Sequence, residues 1–126
     1  MQAINALNAP KAIGPYNQAI RTGHLLFCSG QTPVNPETMK MEETSIDFQT
    51  ERAINNLELV LAEAGLTLLN VVKTNVYLTD MGNFEMMNAA YQKCFGTHKP
   101  ARTTIAVKGL PLNAAVEIEC VAEFLD

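Results

Sequence analysis

The sequence of 126 residues predicts a single α+β domain, spanning 1–126, with two amphipathic helices packed on one face of a mostly antiparallel or mixed β-sheet. Three observations support this fold class. Residues 44–64 and 83–95 repeat apolar side chains at three- and four-residue spacing, as helices do. Short runs of β-favouring residues precede, separate and follow these segments. The two helical segments alternate with strands, which is the order expected of a two-layer domain.

The N-terminal quarter of the chain predicts a short strand, a loop and a hairpin. Prolines and glycines interrupt the first 16 residues. Residues 18–21 and 24–29 are two β-type runs on either side of a Thr22-Gly23 turn. Residues 25–28 are continuously apolar, which predicts burial on both faces. The following proline-containing segment, residues 32–43, is predicted to be a loop.

Residues 44–64 are the clearest helix. Thr44 is placed to cap its N-terminus and Gly65 to end it. The face that includes Asn56 is polar and is predicted to be solvated. The predicted buried stripe consists of Ile46, Ala53, Ile54, Leu57, Val60, Leu61 and Ala64.

Residues 83–95 form the second predicted helix, capped by Asn83 and ended by Gly96. Met86 and Met87 are predicted to fill the core. The predicted buried stripe consists of Phe84, Met87, Tyr91 and Phe95.

Three further strands are predicted in the second half of the chain. Residues 71–79 alternate in polarity, which predicts either a strand with one apolar face, containing Val72, and one mixed face, or a strand buried on both faces. Residues 100–107 and 116–124 flank a segment rich in turn-forming residues, which predicts a terminal hairpin. Along the last strand one face carries carboxylates, and the other carries Val116, Ile118, Cys120, Ala122 and Phe124.

Composition excludes several classes of function. A net charge of −4 without a basic run argues against nucleic acid as a partner. No apolar run approaches the ~20 residues of a membrane span, and no signal peptide is recognisable, so a cytoplasmic protein is expected. The three cysteines are far apart and predict reduced, buried thiols. The two histidines have no metal-ligand spacing, so neither a metal nor a cofactor is expected.

Four separated motifs resemble those of the RidA/YjgF family of reactive-intermediate (enamine/imine) deaminases. The resemblance covers nearly the whole chain. The motifs are, in order, Ala12-Ile13-Gly14-Pro15-Tyr16; Ser29-Gly30-Gln31 with Pro33; Asn88 with Tyr91; and Pro100-Ala101-Arg102 followed by Leu110-Pro111 and Val116-Glu117-Ile118-Glu119.

The resemblance implies a chorismate-mutase-like fold, a homotrimer with clefts between subunits, and a role for each matching residue. Arg102 would bind the substrate carboxylate, for which its planar guanidinium is suited. Glu117 would position the attacking water or the amino group. Tyr16, Ser29, Gly30, Asn88 and Thr104 would contact the substrate in the cleft.

The implied reaction is hydrolysis of 2-aminoacrylate- or 2-aminocrotonate-derived imines, namely 2-iminopropanoate and 2-iminobutanoate, to 2-oxo acids and ammonia. One departure from the family pattern is Thr104, where many members have cysteine. A threonine hydroxyl can hydrogen-bond a ligand but offers no reactive thiolate. A second hypothesis is therefore a non-catalytic module that binds small carboxylates and regulates a partner protein. RNA cleavage has also been attached to family members, but the acidic composition argues against it here.

Overall fold

The computed structural model describes residues 1–125 and confirms a mixed α+β fold built on one six-stranded sheet. Two helices cover one face of this sheet, α1 (Ile46–Glu63) and α2 (Phe84–Phe95). The strands follow the spatial order β1-β2-β3-β6-β4-β5. They are β1 (Gln2–Ile4), β2 (Ala19–Thr22), β3 (Leu25–Gln31), β4 (Val71–Leu78), β5 (Ala101–Ala106) and β6 (Val116–Glu123).

The sheet is mixed because β5 follows a helical crossover. Strand β4 leads through α2 into β5, and these neighbouring strands are parallel, whereas every other neighbouring pair is antiparallel. The predicted terminal hairpin is therefore wrong, because β4 lies between β5 and β6. The connection between them crosses the end of β4, where Val107 N donates to Leu78 O and Thr79 N donates to Ala115 O.

The core lies between the helices and the face of the sheet that they cover, called here the helix-covered face. The predicted apolar stripes of both helices are confirmed except at two positions. Ile54, Leu57 and Leu61 of α1 and Met87 of α2 are fully buried, whereas Ala64 and Phe84 are only partly buried. From β6, alternate side chains enter the same core, as the sequence alternation predicts. Neither helix is long and apolar enough to cross a membrane within residues 1–125.

The ends of the helices differ in detail from the predictions. Helix α1 starts after Ser45 rather than Thr44, and no side-chain hydrogen bond caps it. Asn83 does precede α2 but makes no side-chain capping bond either. Gly65 and Gly96 have positive φ, as predicted for the residues that end the helices.

Asn56 is buried, which contradicts the predicted solvated position. Its Nδ2 donates to the carbonyls of Thr32 (3.1 Å) and Val34 (3.0 Å). This residue therefore ties the loop after β3 to α1. Periodicity could not show this, because an asparagine that satisfies loop carbonyls has the same sequence signature as a solvated one.

Several apolar side chains are more exposed than predicted. Burial of β3 on both faces is wrong for the single chain, since Leu25 and Phe27 are 38% and 46% exposed. They lie on the face opposite the helices, called here the open face. A register shift between Val71 and Lys73 buries Val71 and leaves Val72 outside the core. Met86 is exposed, so only Met87 fills the core.

Candidate active site

Arg102 lies on the edge strand β5 with its guanidinium over two aromatic rings of α2. Its Cζ atom is 4.9 Å from the centroid of Tyr91 and 5.7 Å from that of Phe84. Among residues 1–125, no carboxylate lies within salt-bridge distance of it. The positive charge is therefore positioned by aromatic contacts, and its hydrogen-bonding fork stays free for a ligand.

Tyr91 is a fixed support for this arginine. Its hydroxyl shares a 2.8 Å hydrogen bond with the hydroxyl of the buried Thr74, the β4 residue paired with Arg102. Its ring stacks on Phe95 with a centroid separation of 4.5 Å. Burial raises the pKa of Tyr91 above its ordinary value, so the phenol stays neutral.

Asn88 and Thr104 lie on the same side of the sheet as Arg102. Each carries a side-chain oxygen atom that lacks a hydrogen-bond partner among residues 1–125. Thr104 is two residues along β5 from Arg102, so both side chains share the helix-covered face. Both Asn88 Oδ1 and Thr104 Oγ1 are buried, and neither has a hydrogen-bond partner in the described part of the chain. Buried polar atoms are normally satisfied, so these two atoms mark a place for a polar ligand or water.

A pocket of about 370 Å³ opens beside the guanidinium. Its lining combines two aromatic rings with polar and charged side chains, which suits a small molecule with one charged end. The lining residues are Asn88, Tyr91, Gln92, Phe95, Gly96, His98, Lys99, Pro100 and Arg102.

Glu117 lies on the open face, so the sheet separates it from Arg102. It is paired with Tyr77 of β4, and a Cβ atom added to Gly30 would lie 2.9 Å from its carboxyl carbon. Gly30 therefore leaves the space that the Glu117 side chain occupies. Burial, and secondarily the charge of Glu119, raise the pKa of Glu117 above its ordinary value.

The carboxylate of Glu119 is hydrogen-bonded to another residue of the same chain. The hydroxyl of Tyr77 donates a hydrogen bond to its Oε1, and this bond raises the pKa of Tyr77 to about 12. No residue of 1–125 hydrogen-bonds to the carboxylate of Glu117. Of the two glutamates, Glu117 is thus the one available to a ligand.

The remaining predicted residues lie on the N-terminal side of the sheet. The Ser29 hydroxyl donates to the Asn17 carbonyl (2.6 Å), so it holds the chain beside β3. Tyr16 is 48% exposed and lines a small cavity with Gly30. Within one chain, the predicted residues therefore form two groups. One is Arg102, Asn88 and Thr104; the other is Tyr16, Ser29, Gly30 and Glu117.

Comparison with known proteins identifies the family. The family model described as Endoribonuclease L-PSP, that of the YjgF/RidA proteins, matches residues 6–124. The chain belongs to the YjgF/RidA family. A RutC family protein of Pyrococcus abyssi is 46% identical over 90% of this chain and 90% of its own. Reactive Intermediate Deaminase A, chloroplastic, of Arabidopsis thaliana is 41% identical over 96% of this chain and 65% of its own.

The structure of TdcF of E. coli with bound serine shares the YjgF/RidA fold. It superposes with a TM-score of 0.94 and 32% identity, covering 99% of this chain and 100% of that one. The motifs thus predicted family and fold together. They did not predict the aromatic support of Arg102, because Tyr91 and Phe84 also fit the apolar stripe of α2, and the hydrogen bond between Tyr91 and Thr74 depends on tertiary structure.

Proposed function

We propose that this protein is a hydrolytic deaminase of reactive 2-imino acids, acting on 2-iminopropanoate and 2-iminobutanoate. The observation that carries the proposal is the Arg102 guanidinium, which has no carboxylate partner among residues 1–125 and lies beside a pocket of about 370 Å³. Family membership and a relative named Reactive Intermediate Deaminase A support the same activity.

The reaction needs orientation more than strong catalytic groups. Arg102 holds the carboxylate of the imino acid through two parallel hydrogen bonds. Water adds to the electrophilic carbon of the protonated C=N bond, and Glu117 positions this water and accepts its proton. Glu117 returns this proton to the amino group of the carbinolamine, the C–N bond breaks, and the departing ammonia takes the proton of the hydroxyl group, which becomes the 2-oxo group. Asn88 Oδ1 accepts a hydrogen bond from the substrate, Thr104 Oγ1 accepts or donates one, and no thiol is required.

The site is completed in this proposal by a second copy of the chain in a cytoplasmic homotrimer. Arg102 and Glu117 lie on opposite faces of one sheet, so a neighbouring subunit supplies the group that contains Glu117. The open face exposes apolar side chains, including Leu25, Phe27 and Ile105. Burying such a patch against identical subunits is the usual solution.

A coupled assay tests the activity. Threonine or serine dehydratase generates the imine where spontaneous hydrolysis is slow, and 2-oxo acid formation is followed. The wild type should accelerate it, and Arg102→Ala should abolish most of the acceleration. Arg102→Lys, which keeps the charge but not the fork, should recover only part of it. A wild type that leaves the imine lifetime unchanged, beside an active relative that shortens it, would refute the proposal.

A small-carboxylate sensor is the alternative, and one observation favours it. Arg102 and Asn88 line one pocket within a single chain, and Thr104 lies on the same face of β5 as Arg102, so this group can bind a carboxylate without Glu117. Saturable binding of 2-oxobutanoate without imine hydrolysis would support the sensor. Binding that is lost in Arg102→Ala, together with turnover that is lost in Glu117→Gln, would support the enzyme.

RNA cleavage, which the family description names, has less support. With nine Lys and Arg against thirteen Asp and Glu, the chain lacks the positive charge that binds phosphates. We expect purified protein to leave single-stranded RNA intact. Cleavage that copurifies with the protein and disappears in Arg102→Ala would reverse this expectation.

A further inference from the structure

Two of the three cysteines, far apart in sequence, lie directly opposite each other in the sheet. Cys28 of β3 pairs with Cys120 of β6, and both side chains face the core, with 4% and 3% exposure. Directly opposite residues of antiparallel strands have Cα atoms about 4.5–5.5 Å apart. Disulfides span Cα separations of about 4.4–6.8 Å. The backbone therefore needs little movement to join these two residues.

The side chains of Cys28 and Cys120 lie side by side on the helix-covered face and interact with each other, and both cysteines are free. We propose that Cys28 and Cys120 are a disulfide-forming site that, on oxidation, joins β3 covalently to β6. This site is separate from the residues assigned to the deaminase and does not depend on that activity.

The oxidant that fits this site is a small peroxide. One thiol reacts with hydrogen peroxide to give a sulfenic acid and water. The second thiol then attacks the sulfenic sulfur, which forms the S–S bond and releases a second water. The two thiols lose two electrons and two protons, and the peroxide is reduced to two waters. Larger oxidants such as glutathione disulfide cannot reach sulfur atoms that are 3–4% exposed.

The same burial makes the reaction slow and the product resistant. Contact with Cys28 and burial raise the pKa of Cys120, so little reactive thiolate exists at neutral pH. Once formed, the disulfide is shielded from dithiothreitol for the same reason. The expected behaviour is oxidation over hours and reduction only after unfolding.

The bond would join two parts of the sheet. Strands β1, β2 and β3 form an N-terminal meander, and among residues 1–125 its only strand contact with the rest of the sheet is the β3–β6 pair. Joining Cys28 to Cys120 closes most of the chain into a loop, which restricts the unfolded state strongly in the chain-entropy model. The oxidised protein should therefore unfold at a higher urea concentration than the reduced one.

Mass spectrometry of the wild type tests whether Cys28 and Cys120 form a disulfide. Native protein is incubated with hydrogen peroxide, unfolded in urea with an alkylating agent, and digested without reductant. One alkylated thiol, on Cys94, and a linked peptide containing Cys28 and Cys120 are expected. Three alkylated thiols, or oxidation of Cys94 alone, would overturn the proposal.

Cys94 provides the matched control. It is half-buried on α2, and burial raises its pKa to about 11. Cys94→Ser should still form the linked peptide and show the increase in urea midpoint. Cys120→Ala and Cys28→Ala should each lose both. An increase in midpoint that persists in either alanine variant would show that the stabilisation comes from elsewhere.

Discussion

At the scale of single residues, the notable feature is an arginine supported by aromatic rings in place of a counter-ion. A salt bridge would lower the cost of burying Arg102, but it would also occupy the fork needed for a carboxylate. Tyr91 and Phe84 hold the guanidinium without using its N–H groups. The structure thus keeps the anchor ready for an anionic ligand.

Removing the ring below Arg102 should weaken substrate binding. For Tyr91→Leu we expect KM to rise about 2- to 30-fold, the range of a cation–π contact, with kcat changed less. Tyr91→Phe keeps the ring, so its KM should stay near that of the wild type. This control variant leaves the Thr74 hydroxyl without its partner and should lose about 1–2 kcal/mol of unfolding free energy. Equal KM values in the two variants would contradict the support role of the ring.

Gly30 offers a way to move Glu117 without replacing it. In Gly30→Ala the new methyl group occupies the space of the carboxylate, and the flexible end of Glu117 must shift. We expect kcat to fall about 10- to 100-fold, toward the effect of losing an acid–base group, with a small change in melting temperature. Gly109→Ala is the control, since its Cβ would have no neighbour within 4 Å. An active, unchanged Gly30→Ala would show that Glu117 is not needed in its observed position.

Glu117 should limit stability at neutral pH. Because folding raises its pKa, the folded state binds the proton more tightly than the unfolded state. Its favourable contribution is present below the unfolded pKa and is lost as pH rises through the folded pKa. Glu117→Gln should therefore melt higher than the wild type near pH 7 by up to a few degrees, since the group is half-exposed, with no advantage near pH 4. Melting curves at both pH values test this, and a gain only at low pH would contradict the assigned direction.

At the scale of elements, sequence periodicity predicted the helices better than strand pairing. The apolar stripes of α1 and α2 and the alternation of β6 depend on residue spacing along the chain, so the sequence alone could predict them. The position of β4 between β5 and β6 depends on pairing between residues far apart in sequence, which no local sequence pattern predicts. The pairing of Cys28 with Cys120 was missed for the same reason. The motifs indicated Arg102 and Glu117 as candidate site residues, but they could not indicate that the sheet separates the two.

The loop after β3 should depend on one side chain of α1. Asn56→Ala removes two hydrogen bonds and leaves the carbonyls of Thr32 and Val34 without them. We expect a loss of about 2–4 kcal/mol in the free energy of unfolding, measured with urea. The neighbouring Asn55→Ala, at an exposed position, should change it by less than about 0.5 kcal/mol. Similar losses in both variants would mean that helix propensity, not the loop contact, is responsible.

At the scale of the whole molecule, the two groups of site residues make activity a property of the proposed assembly. Arg102→Ala and Glu117→Ala should each be inactive. If the variants are unfolded together and reassembled as mixed trimers, about a quarter of the clefts should receive an intact Arg102 and an intact Glu117. Recovery of about that fraction of wild-type activity is expected. No recovery, with mixed trimers verified by mass, would place the working site within one subunit.

Strand β3 shifts its register against β6 between Cys28 and Gln31, which marks a β-bulge. Cys28 and Gln31 are three positions apart, so a regular strand would turn them to opposite faces. Here Cys28 lies opposite Cys120 and Gln31 opposite Ile118, and both are buried on the helix-covered face. The bulge accommodates one extra residue between them, so the side chains on either side of it stay on the same faces of the sheet. Deletion of Gly30 would therefore remove the extra residue, leave Cys28 and Gln31 two positions apart as in a regular strand, and keep both side chains on the helix-covered face.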